Sequence, residues 1–212
     1  MRPGTEAPRP GGENPVPGSV AAAYDRAVTL TNEPRSGEPW LVRTDRLELR
    51  AVCADDLAEL FRINTDPRTW SHVPEGRHRD EETTRAWIGR AVKSWESSGL
   101  GYWTARLPAD GAVVGVGGVA FQPASGFWNL YYRLDPAHWG RGYATELSRA
   151  AADAARRHSP EVPVAAWIHT HNAGSRGVVA RLGLADRGLR RDPTLGELLH
   201  LYTDRQVPPA VS

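Results

Sequence analysis

The sequence predicts one folded α/β domain, a mixed sheet covered by helices, behind an unstructured N-terminal tail. Strand-like and helix-like periodicities alternate from residue 46 onward. Asp110-Gly111 falls between two apolar runs, which signals a hairpin. A strand ending at Leu134 also passes through a short glycine-containing loop straight into an Ala-rich helical pattern.

Residues 1–38 are rich in Pro, Gly, Ser and Glu and poor in large apolar side chains. Such a segment buries too little surface to offset its ordering entropy. It is expected to be mostly disordered, with a short helix near residues 21–27, and residues 39–212 form the folded domain. Arg46–Val52 alternates apolar and polar residues and predicts a strand. Ala54-Asp55-Asp56 then starts a helix whose face carries Leu57, Leu60 and Phe61, and Asp66-Pro67 stops it. Asp80–Ser98 is a second helix, with Trp87, Ile88, Ala91 and Trp95 as its apolar stripe and Gly99 as its C-terminal cap. Strands follow over Tyr102–Leu107, Ala112–Phe121 and Phe127–Leu134. A helix over Tyr143–His158, a strand over Val162–His169, a short helix over Ala173–Leu182 and strands near Asp186–Arg190 and Leu198–Asp204 complete the domain. The count is about seven strands and about four helices.

Net charge is +1, so no global field draws the chain to nucleic acid or an anionic membrane, and neither is expected as a partner. Lys93 is the only lysine among the basic residues, which reads as a compositional bias. Cys53 is the only cysteine, so no internal disulfide forms and nothing requires an oxidising compartment. No run approaches the ~18 apolar residues of a membrane helix, and the N-terminus lacks the apolar region of a signal peptide. A cytoplasmic location is expected.

The segment from Leu134 to Glu146 carries the most chemistry. Its Gly140-Arg141-Gly142 lets the backbone turn tightly and bring N–H groups near a ligand. The first amides of the following helix have no intrahelical partner and lie at the positive end of its dipole. Together they suit a phosphate or diphosphate, with Arg141 able to add a charge-assisted contact. An ordinary strand-to-helix turn would share Gly-x-Gly, and no Gly-Lys-Ser/Thr follows as in a P-loop.

Trp139-Gly140-Arg141-Gly142-Tyr143-Ala144 resembles the acetyl-CoA signature of the GNAT acetyltransferases, in the spelling of the bacterial RimJ/RimL-like branch. Trp139 stands where the wider superfamily has Gln or Arg. Two further stretches resemble that branch in the right order: Arg43–Arg50 at the front, and Asn172-Ala173-Gly174-Ser175 leading to Leu182-Gly183-Leu184.

The resemblance implies a GNAT fold, with a mixed, mostly antiparallel sheet. It implies N-acetyl transfer from acetyl-CoA, used as co-substrate without a metal, to a primary amine: a small molecule or a protein N-terminus. A monomer or homodimer is expected. Leu134, Trp139, Gly140, Arg141, Gly142, Tyr143, Ala144, Asn172 and Ser175 would bind the cofactor. The pantetheine arm would lie between two splayed strands, Trp128–Leu134 and Val164–His169, with a backbone N–H near Leu134 polarising the thioester carbonyl. Many relatives protonate the departing thiolate with a tyrosine, and Val179 occupies that place, which leaves Ser175 as thiolate acid or sulfur-side hydrogen bonder, or as a plain helix N-terminal serine bonded to backbone, and Asn172 as a contact to the arm. Asn129 stands where many relatives carry a glutamate, so the base is open between a water relay and His72, Glu75, His169 or His171. Trp70, His72 and Glu75 are the candidate acceptor-binding residues. Asn129 and Val179 also admit a non-catalytic acyl-CoA-binding protein, a sensor or interaction domain.

Two other patterns point away from competing chemistry. Gly115-Val116-Gly117-Gly118-Val119-Ala120 spells a dinucleotide-binding string, but a strand and then Pro123 follow where a helix is needed, so close packing or a bulge is expected instead. His169 and His171 lack a nearby third ligand, so no metal is expected. Trp103, Trp128 and Trp167 read as packing residues.

Overall fold

The computed structural model describes residues 39–206. The tail over 1–38, with its expected helix near 21–27, and residues 207–212 lie outside the described residues. The strands are β1 (Leu41–Arg43), β2 (Glu48–Ala51), β3 (Tyr102–Arg106), β4 (Val113–Gln122), β5 (Phe127–Leu134), β6 (Val164–Ile168), β7 (Ala185–Arg191) and β8 (Leu198–Thr203). The helices are α1 (Leu57–Thr65), α2 (Glu81–Ser98), α3 (Tyr143–His158) and α4 (Ala173–Arg181). The eight strands form one sheet in the order β1-β2-β3-β4-β5-β6-β8-β7. Every neighbouring pair is antiparallel except β5 and β6. The expected count of seven strands misses β1, whose three residues are too few to show an alternation.

Local signals set the helix ends. Asp80 caps α2 through its bond from the Thr83 N–H at 2.8 Å, and Gly99 ends it at φ +71°. Thr65 is the last residue of α1, and Asp66-Pro67 follows as expected. The sheet packs helices on both faces. Leu49, Trp103, Val119, Trp128, Leu130 and Leu134 meet Leu147, Ala151, Ala152 and Ala155 of α3 on one face. Val52 and Val116 meet Leu60 of α1 and Ile88 and Ala91 of α2 on the other.

The glycine string of β4 explains how closely α3 approaches. A Cβ at Gly117 would stand 2.7 Å from Tyr132 Cβ and 2.8 Å from Leu147 Cδ2. One at Gly118 would stand 2.3 Å from the Gly101 carbonyl oxygen. Side chains there would force the layers apart.

Candidate active site

β5 and β6 are joined at only two register positions, Trp128 with Val164 and Asn129 with Ala165. Beyond them the strands part. The Trp128 N–H donates to Pro163 on the β6 side, and the Asp135 N–H donates to Val114 on the β4 side. By the two-residue alternation of a strand, the amides of Tyr132 and Leu134 point into the gap. A cleft of about 1790 Å³ opens there, lined among others by Leu130, Tyr132, Leu134, Ala166, Ile168, His169, Asn172 and Ser175. That volume exceeds the ~300–1,000 Å³ of a usual small-molecule pocket.

The glycine loop stands at one end of this gap. Asp135 caps the short turn Pro136–His138 through the Ala137 N–H at 2.9 Å and pairs with Arg62 at 2.6 Å. Burial raises the Asp135 carboxyl, but the Ala137 amide and Arg62 outweigh it and leave its pKa below the usual value. The Trp139 indole N–H donates to the Leu134 carbonyl at 3.0 Å, which ties the loop back to the end of β5. Gly140 and Gly142 take φ +74° and +83°, which disfavour any residue with a Cβ. The first helical bond of α3 runs from the Glu146 N–H to the Gly142 carbonyl, so the amides ahead of it have no intrahelical partner. Gly140, Gly142, Tyr143 and Ala144 line the cleft, whereas Arg141 is exposed and its carbonyl accepts from Arg46 at 2.8 Å.

Glu146 fixes the first turn of α3. Its carboxylate accepts from the Thr44 hydroxyl at 2.5 Å, the Arg46 N–H at 2.8 Å and Arg46 Nε at 2.7 Å. The Arg46 guanidinium also lies 4.8 Å from the centre of the Tyr143 ring. The front motif of the sequence thus anchors the helix that carries the glycine loop.

On the wall of the gap, Asn172 caps α4 by accepting the Ser175 N–H at 3.1 Å. The Ser175 hydroxyl stands 3.1 Å from the Tyr132 phenol. Burial raises the Tyr132 pKa and outweighs the lowering bond with Ser175, so the phenol keeps its proton at neutral pH. Tyr132 escaped the sequence reading, although its strand parity with Leu134 places it on the same face. Val179 is buried in the core with a residual exposure of 2%.

The opposite wall comes from the segment between α1 and α2. Trp70 and His72 line the cleft. The Trp70 indole donates to the Asn64 carbonyl at 2.7 Å, and its ring lies against Gly76, where a Cβ would be 2.3 Å away. That contact folds the Pro74–Gly76 turn onto Trp70. Glu75, in the middle of the turn, is exposed and absent from the cleft wall, so the structure does not bring it to the other acceptor candidates. The His72 ring lies 6.1 Å from His169, which lies 5.5 Å from His171. Burial first, then the charge of Arg133 and the neighbouring histidines, push the His72 pKa down to about 4. His169 Nε2 is 3.7 Å from Glu197. Among the described residues no group of three or more His, Cys, Asp or Glu could hold a metal ion. No described helix is long and apolar enough to cross a membrane. The carbonyl oxygen of the Asn129 side chain is buried in the cleft without a hydrogen-bond partner in the protein.

Known proteins resemble this chain in sequence and in fold. Residues 46–185 match the acetyltransferase (GNAT) domain family. The uncharacterised protein YkkB of Bacillus subtilis is 28% identical over 144 residues, covering 66% of this chain and 83% of YkkB. An acetyltransferase of Agrobacterium tumefaciens superposes with a TM-score of 0.68 at 22% identity, over 83% of this chain and all of the other (100%). RimL, a ribosomal-protein α-N-acetyltransferase solved in complex with coenzyme A, gives a TM-score of 0.65 at 16% identity, over 77% of this chain and 96% of its own. These structures share the fold, and the family match spans most of the described domain: the chain belongs to the GNAT acetyltransferases.

Proposed function

We propose that this protein acetylates a primary amine by direct transfer from acetyl-CoA, in the manner of the RimJ/RimL-like branch. The observation that carries the reading is the parting of β5 and β6 between an anion-suited loop and a hydroxyl–phenol pair. The amides at Gly140–Ala144 would take the diphosphate, with Trp139 holding the loop to Leu134. The pantetheine arm would fill the gap, its contacts including Asn172 and Ser175.

The amine nitrogen attacks the thioester carbon, the C–S bond breaks and the acetyl group passes to nitrogen. The Leu134 amide, aimed into the gap, suits the developing oxyanion. The departing sulfur takes a proton from the Ser175 hydroxyl, the Tyr132 phenol, 3.1 Å away, resupplies it, and solvent returns a proton to the phenol in exchange for the one the amine releases. The proton lost by the amine leaves through the histidines of the opposite wall or a water bonded to them. Burial and the charge of Arg133 disfavour a protonated His72, so its neutral ring would orient that water rather than keep the proton.

The test is thiol release from acetyl-CoA over a panel of primary amines and N-terminal peptides, with mass spectrometry of the product. Release with an acetylated amine supports the reading. Binding of acetyl-CoA without release over the whole panel would replace it with a non-catalytic acyl-CoA sensor.

A further inference from the structure

We propose that the acceptor is an amine that also carries a carboxylate, and that Arg133 receives that carboxylate; this rests on the amine-acetylation reading above. Arg133 lies at the end of β5 and lines the cleft, yet only 6% of it is exposed. Its Nε donates to the Tyr131 hydroxyl at 3.0 Å, Nη1 donates to the Thr69 carbonyl, and its guanidinium lies 3.3 Å from the centre of the Trp70 ring. These partners fix its direction, and all of them are neutral.

Among the described residues its charge has no carboxylate counterpart. The cleft is lined by the carboxylates of Asp45, Glu146, Asp153 and Asp192, and none forms an ion pair with Arg133. Glu146 serves Arg46, and Asp192 accepts the amides of Thr194 and Leu195. Arg68, also on the wall, is paired with Asp66. Arg149 and Arg181 are exposed and donate to backbone carbonyls on the other face of the sheet. Arg133 alone among the lining arginines is both buried and without a carboxylate. A neutral side chain would anchor the Thr69–Trp70 segment at a smaller desolvation cost.

The guanidinium fork is the side chain that best matches a carboxylate. The strand's alternation puts Arg133 on the face opposite Tyr132 and Leu134. A bound carboxylate would therefore hold the acceptor on the Trp70–His72 side, with its amine reaching the gap from there.

The test measures acetylation of glycine, β-alanine, γ-aminobutyrate and ε-aminocaproate beside their methyl esters. A parallel arm uses C-terminally amidated Ala-Asp beside amidated Ala-Asn. The acid-to-neutral ratio of kcat/KM is taken within each protein preparation, so the amount of folded enzyme cancels. At least one acid is expected to exceed its neutral partner by about tenfold or more, mainly through KM. The ratio should fall toward one in Arg133→Gln and recover in part in Arg133→Lys. Preference in the first arm marks a free amino acid, and preference in the second a peptide side chain. Equal rates for every acid and its neutral partner, with transfer intact, would overturn this proposal alone. A preference that survives in Arg133→Gln would overturn the role of Arg133. Transfer to no amine at all would overturn the acetylation reading and this proposal with it.

Discussion

Replacing Ser175 with Ala removes the hydroxyl that stands between the Tyr132 phenol and the gap. Two effects of different size follow. The phenol loses its only hydrogen-bond partner among the described residues, which costs about 1 kcal/mol of stability. Such a loss leaves the protein folded. The departing thiolate loses its proton donor, and a positioned acid contributes about 10²–10⁴-fold. We therefore expect kcat to fall about 100-fold or more, or about 3 kcal/mol at 1.36 kcal/mol per decade. The acetyl-CoA Kd should change several-fold at most, because one hydroxyl contact is lost. A cycle with Tyr132→Phe separates a relay from two independent contacts. If the phenol acts through Ser175, the double variant loses no more than Ser175→Ala alone. Stopped-flow thiol release in single turnover measures the step directly. An unchanged rate in Ser175→Ala would refute the donor role, and fully additive losses would refute the relay.

Two further predictions concern charge. Glu146→Gln weakens the link between the β1–β2 turn and α3 and should lower stability by about 1–2 kcal/mol, a range already reduced because the Arg46 partner is half exposed. Burial raises the Glu146 carboxyl, but the bonds from Thr44 and Arg46 outweigh it and hold its pKa below 4.5. Its contribution is thus complete above pH 4.5 and disappears as pH falls through the lower folded value, and denaturant midpoints should show that acid loss shrinking in Glu146→Gln. His72 acts in the same direction at a higher pH, although here it is the neutral form that the fold favours. With a folded pKa near 4 against 6.5, the unfolded chain binds the extra proton between those values, so His72 makes stability rise with pH across that window. NMR titration of the His72 ring should give a midpoint near 4, and a midpoint at 6.5 would contradict the packed wall described above.

Much of this architecture is legible in the residues. Asp80 and Gly99 announce the ends of α2, and the Tyr143–His158 helix follows from Gly142 and its alanine run. Caps and periodicities act over a few residues, so a linear reading captures them. The site is harder, because its decisive contacts join distant residues. The Tyr132–Ser175 pair spans 43 positions and the Arg133–Thr69 bond spans 64. Phe127–Leu134 reads as a strand, yet alternation alone does not say that Tyr132 meets α4 while Arg133 reaches the segment between α1 and α2. Glu75 shows the converse. The family resemblance sets its segment, with Trp70 and His72, beside the acceptor site, but the turn around Gly76 directs Glu75 outward.

Calorimetry with coenzyme A, on the wild type, Gly142→Ala and Gly142→Glu, tests the anion cradle most directly. A Cβ at φ +83° costs about 1–2 kcal/mol of local strain, which Gly142→Ala measures alone. The glutamate adds a negative charge where the diphosphate would lie. We predict wild-type binding, a modest loss in Gly142→Ala and a further loss of about 100-fold or more in Gly142→Glu, with its thermal melt matching that of the alanine variant. Coenzyme A bound equally by all three proteins, or by none, would contradict the account.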